Sequence, residues 1–148
     1  MSLPSVGIAL GAVAWALLAG FLAPLVSESL GYFLWLSTLV LSLLAVIFAG
    51  LLAFRVFEAV VLGALTGLFT AVLFYEGRWL AFLTGWNGLE IDRFLSALGE
   101  MPVSAGQAQM LALIFGALLG VPMAVVGGIV GWMAARDRNH AAEMSRCG

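Results

Sequence analysis

Charge is what this sequence most lacks. Only 9% of its 148 residues are charged, whereas a soluble domain carries about 25%. All six basic residues are arginines, and there is no lysine. Such a chain cannot clothe a water-soluble fold, and it has no basic stripe with which to hold a nucleic acid. Cysteine is nearly absent too. Cys147 stands alone, which excludes an intrachain disulfide and leaves a dithiol reaction without its second sulfur. His140 is the only histidine and lies in the C-terminal tail. Histidine ligation of haem inside a bilayer, and the histidine-built zinc sites of membrane proteases, are excluded with it. No catalytic residue, metal site or cofactor site is expected.

What the chain has instead is hydrophobic length. Sixty-four per cent of the residues are hydrophobic and the mean hydropathy is +1.14. Four apolar runs account for most of it: Val6 to Val26, Leu30 to Phe54, Ala59 to Tyr75 and Ala108 to Ala135. A hydrocarbon core about 30 Å thick takes roughly 20 helical residues to cross. The sequence therefore predicts an all-α membrane protein, a single domain over 1–148 with four transmembrane helices in two antiparallel hairpins. The first run has no basic region ahead of it and exceeds the apolar centre of a signal peptide, so it reads as an uncleaved span.

The breaks between spans differ in clarity. Pro24 and the polar triplet Ser27, Glu28, Ser29 mark a short first turn, with Ser29 the expected N-cap of span two. From Leu51 to Leu62 no Gly, Pro, Asn or Asp marks the second. An unbroken helix from Leu30 to Tyr75 would nevertheless run about 68 Å, far beyond the bilayer. The turn is expected around Arg55 and Glu58, with Gly50 as an alternative end for span two. Residues 76–107 form the expected extracytoplasmic loop, and 136–148 a cytoplasmic tail. In the loop, Arg78, Trp79 and Trp86 suit the headgroup level, and Asn87 with Glu90 has the spacing of a capping box. Ile91, Phe94, Leu95 and Leu98 then share one helical face opposite Asp92, Arg93, Ser96 and Glu100, which predicts a short amphipathic helix. Met101-Pro102 ends it, and Ser104 with Gln107 repeats the capping-box spacing before span four.

The strongest internal pattern is a small residue at every fourth position. Span three carries Ala59, Gly63, Gly67 and Ala71; span four carries Gly116, Gly120, Ala124 and Gly128. Such rows strip bulk from one helix face and let another backbone approach, the main source of contact energy between helices in lipid. A weaker version runs through Gly7, Gly11, Ala12, Ala16 and Gly20. Gly-Ala-Leu-x-Gly recurs at Gly63 to Gly67 and Gly116 to Gly120, a coincidence expected of so Gly- and Ala-rich a chain. Pro122 predicts a bend in span four. Trp15, near the middle of span one, needs an acceptor for its indole N–H, for which Ser42, Thr66 or the Leu118 carbonyl is available.

No ionisable residue falls deep within a span. Pumps, ion-coupled carriers and voltage sensors put such groups there despite the energetic penalty, so these classes are disfavoured. The hydroxyls Ser37, Thr38, Ser42, Thr66 and Thr70 are expected to bond back to their own helix. Arg55, Arg136, Arg138 and Arg146 lie on one side and Arg78 and Arg93 on the other, which orients both termini toward the cytoplasm, in an expected prokaryotic plasma (inner) membrane. The leading expectation is a non-catalytic subunit or assembly factor of a larger membrane complex, in contact with membrane lipid and other membrane-protein subunits, with Trp79, Trp86, Phe94 and Leu98 at the interface. The alternative is a small homo-oligomeric channel or carrier.

Overall fold

The helices begin and end where the local chemistry permits. Helix α1 spans Leu3–Leu22, with Pro4 in its first turn, where the missing N–H has no intrahelical partner to lose. A 3-10 turn, Ala23–Leu25, carries Pro24 and ends it. Helix α2 spans Glu28–Leu52, α3 spans Val56–Leu83 and α4 spans Ala105–Cys147. The computed structural model describes residues 2–83 and 105–147, and among these every regular element is helical. Four of the helices are long and apolar enough to cross a membrane.

Several boundaries differ from the sequence reading. The N-cap of α2 is Ser27 and not Ser29, and its hydroxyl makes no capping bond. Glu28 instead opens the first turn, where a carboxylate suits the positive end of the helix. The α2–α3 turn is confined to Ala53, Phe54 and Arg55, so Glu58 already belongs to α3. Helix α3 continues past Tyr75 to Leu83, which puts Glu76, Arg78 and Trp79 on a helix and not in a loop. The extension is anchored by Gly77, where a Cβ would fall 2.8 Å from the Phe21 nitrogen and 3.1 Å from the Gly20 carbonyl carbon. Helix α4 continues through Pro122 and on through the tail to Cys147, some 65 Å of helix at 1.5 Å per residue. The amphipathic segment from Glu90 to Glu100 lies outside the described residues, as do Asn87, Glu90 and Ser104 of the two capping boxes, while Gln107 lies in the first turn of α4.

Contacts between helices set their directions. Ala9 clusters with Ala49 and Leu62, whereas Ala16, Ala19 and Ala23 cluster with Phe74. Helix α1 thus runs alongside α3 in the same sense. Ser2 donates its hydroxyl to the Leu52 carbonyl at 3.0 Å, and at the far end of α1 Gly31 faces the Ala23 carbonyl, so α2 runs the opposite way. Helix α4 also opposes α3, as the glycine pairs below require. Helix α3 is the most buried and α4 the least. One end of the bundle holds the start of α1, the α2–α3 turn and the Arg138 region of α4; the other holds the α1–α2 turn and the end of α3.

Four of the five expected hydroxyls bond back to their own helices, and Ser42, buried on α2, does not. Thr38 donates to the Leu34 carbonyl at 2.9 Å, Thr66 to Leu62 at 2.7 Å and Thr70 to Thr66 at 2.5 Å. Ser37 also reaches the Leu34 carbonyl, at 2.8 Å. Back-bonding of this kind satisfies these four donors without a partner from another helix. Trp15 differs. Its Nε1 is buried without an acceptor, so the expected bond to Ser42, Thr66 or Leu118 is not made. The ring sits instead against the alanine cluster around Phe74, beside Leu34 and Tyr75.

Candidate functional site

The α3–α4 pair holds most of the small residues singled out by spacing, and it uses them in two different ways. The first is an internal seam. Gly63 faces Gly127, Gly67 faces Met123, and Gly131 faces Ala59, each so closely that a Cβ would overlap the opposing backbone. Farther along, a Cβ on Gly116 would fall 2.9 Å from the Val72 Cα, and one on Gly120 2.8 Å from Leu68 Cδ1. At Gly63, Gly67, Gly127 and Gly131 only an Hα fits, and it faces an opposing carbonyl, a geometry that adds about 0.5–1 kcal/mol per contact to the van der Waals gain.

The second use is an open groove on the outward side of the same pair. Ala64, Ala124 and Gly128 form its floor, while Val60, Ile129 and Trp132 are among its walls, and it encloses about 480 Å³. A Cβ on Gly128 would meet nothing nearer than 3.7 Å. Gly128 is thus buried in ordinary contact with Val60 and Ala64, and the Ala124 nitrogen borders the seam at Gly67, while both residues also line this groove. Gly127 and Gly131 make the closer contacts, although they lie outside the row read from spacing. The Gly127-Gly128 pair offers two faces of equal merit, and spacing alone does not choose between them.

The remaining site residues are placed as follows. Ala59 is buried with Ala53 and Ala135 where α2, α3 and α4 meet. Ala71 lines a cleft described below. Trp79 is partly exposed on α3, and Trp86, Phe94 and Leu98 lie outside the described residues. In α1, Ala12, Ala16 and Gly20 are buried, while a Cβ on Gly7 or Gly11 would meet open space.

A cleft that sequence reasoning missed opens at the end away from the termini. Its mouth, about 290 Å³, is lined by Glu28, Tyr32 and Arg78 together with Trp35, Phe74 and Tyr75. The last three also line a deeper groove of about 230 Å³ between α2, α3 and α4, which reaches Leu39, Thr70, Leu119 and Pro122. Tyr75 is stacked on Phe115 of α4, 6.1 Å between ring centroids, which closes one side. No spacing rule joins Glu28 to Arg78, because the mouth forms only when two helix ends meet.

At the opposite end, Arg138 points its guanidinium at the carbonyls of Leu51 and Phe54, both at 3.5 Å. These are long contacts with the last turn of α2 and with the turn that follows it, where a cation suits the negative end of the helix. Arg136 stacks over Trp132 at 5.3 Å. Among the described residues, no three His, Cys, Asp or Glu side chains converge as metal ligands would. Comparison with protein-family models, with curated proteins and with solved structures returns no match.

Proposed function

We propose that this chain is an integral membrane protein that acts as a non-catalytic subunit or assembly factor, docking another membrane protein through the outward groove of α3 and α4. The observation that carries this reading is the contrast between adjacent glycines. A Cβ on Gly127 would overlap the chain's own backbone, while Gly128, itself buried, has room for one and lines a groove together with Ala64 and Ala124. A small-residue floor flanked by Val60, Ile129 and Trp132 is the shape that admits a second helix at close range. In this reading the four helices span the bilayer as two hairpins. The termini lie in the cytoplasm of a prokaryotic cell, with Trp79 at the headgroup level and the polar end of α4 projecting into the cytoplasm.

Purification of the full chain in mild detergent, followed by mass spectrometry, tests the proposal. A heteromeric complex is expected, lost in Gly128→Leu while the monomer stays folded. A homogeneous oligomer would transfer the groove to a self-contact and favour the channel or carrier reading. Isolation as a monomer alone would remove the docking role.

A further inference from the structure

The cleft between α2, α3 and α4 changes character along its length. Its mouth presents a carboxylate, a guanidinium and two phenols, from Glu28, Arg78, Tyr32 and Tyr75. Its depth presents carbon, and the Thr38 and Thr70 hydroxyls found there are already bonded to their own helices. A groove with no polar group to offer does not hold water. From Glu28 to Leu39, α2 rises about 16 Å, close to half of a hydrocarbon core about 30 Å thick. The cleft therefore has the depth of one leaflet, with its charges at the surface end.

From this gradient we infer that the cleft binds one zwitterionic phospholipid, its headgroup at Glu28 and Arg78 and one acyl chain along Trp35, Leu119 and Pro122. A phosphate meets the Arg78 guanidinium, the pairing that gives charge-assisted hydrogen bonds their strength. The headgroup ammonium meets the Glu28 carboxylate, which no ion pair among the described residues engages. Tyr32 and Trp35 add aromatic faces beside that cation. An anionic lipid would leave Glu28 facing negative charge and a cationic one would leave Arg78 facing positive charge; a zwitterion satisfies both. A partner helix does not fit, since neither cavity, at about 290 and 230 Å³, holds one turn of a helix about 10 Å wide. The site stands apart from the α3–α4 groove and does not depend on what docks there.

Native mass spectrometry of the full chain, with phosphatidylethanolamine and phosphatidylglycerol of identical chains, tests this. One phosphatidylethanolamine is expected to be retained per chain and phosphatidylglycerol to be lost. Arg78→Gln and Glu28→Gln should each weaken retention about tenfold, the effect of removing one charge-assisted hydrogen bond. Leu119→Trp fills the groove from a partly exposed position and should expel the lipid without lowering thermal stability. Met110→Trp, on the exposed face of α4, and Gly128→Leu should retain it. Equal retention of the two lipids, or retention by Leu119→Trp at the level of the unmodified chain, would overturn the assignment.

Discussion

Gly63 and Gly127 face each other reciprocally across α3 and α4: a Cβ on either would lie 2.9 Å from the carbonyl carbon of the other. The approach is held by backbone on both sides, which cannot rotate away as a side chain can. Alanine at Gly63 or Gly127 should therefore lower stability by about 1–3 kcal/mol, the range for overpacking. Alanine at Gly128, whose Cβ would have 3.7 Å of clearance, should be tolerated. Thermal unfolding in detergent compares the three. Equal losses at Gly127 and Gly128 would show that the seam is not where the contacts place it.

Helix count and most helix ends were legible because the length and hydropathy of the apolar runs mark them. Even the unmarked turn at Ala53 to Arg55 was anticipated, since a continuous helix would have outrun any membrane. The face each helix turns inward was harder to read. In α4, Gly116 and Gly120 meet α3 as the spacing implies, but beyond Pro122 the closest approaches pass to Gly127 and Gly131, while Ala124 and Gly128 make looser contact and line the outward groove. Small-residue spacing reports which faces permit close approach, and the bundle uses only some of them. The extension of α3 was hidden for a related reason. Glu76 and Arg78 made the segment look like a loop, yet Gly77 is packed against Leu17 and Phe21 of α1. The cleft at Glu28 and Arg78 depends on tertiary contact alone.

The junction of α2, α3 and α4 supplies a second prediction. Ala135 is fully buried with Ala53 and Ala59, while Arg138, one turn on, makes only long, exposed contacts to the Leu51 and Phe54 carbonyls. Ala135→Leu should destabilise by about 1–3 kcal/mol. Arg138→Gln should change stability by less than about 1 kcal/mol, as exposed polar contacts do, while loosening the α2–α4 end. Denaturation in detergent reads the first effect, and spin-label distances between Phe54 and Asn139 read the second. A larger loss at Arg138 than at Ala135 would mean that the clamp and not the alanine cluster holds this end.

Orientation in the membrane gives a third. The start of α1 and the end of α4 share one end of the bundle, and Ser27 lies at the other. If the arginines set the topology, Cys147 should label from the cytoplasmic side. A cysteine at the exposed Ser27 should label only from the opposite side. Labelling of both from one side would discard the four-span topology, and exchange of the two sides would discard the orientation.

Trp15 tests whether a buried polar atom is tolerated or hidden. Its Nε1 has no acceptor among the described residues, although the ring is packed against the alanine cluster around Phe74. Thr66, one of the expected acceptors, donates to the Leu62 carbonyl but takes no bond from the indole. An unsatisfied buried donor is unfavourable by about 1–3 kcal/mol, so removing it offsets what a smaller ring loses in contact. Trp15→Phe should then stay within about 1 kcal/mol of the unmodified chain, whereas Trp15→Ala, which leaves a cavity, should lose about 3–5 kcal/mol. In lipid the loss is of packing and not of hydrophobic transfer, which places the alanine variant at the lower end of that range. Chemical denaturation in detergent, with far-ultraviolet circular dichroism as the probe, separates the two variants. If phenylalanine lowers stability as much as alanine does, the indole N–H is bonded after all, and the orphaned donor is not a feature of this bundle.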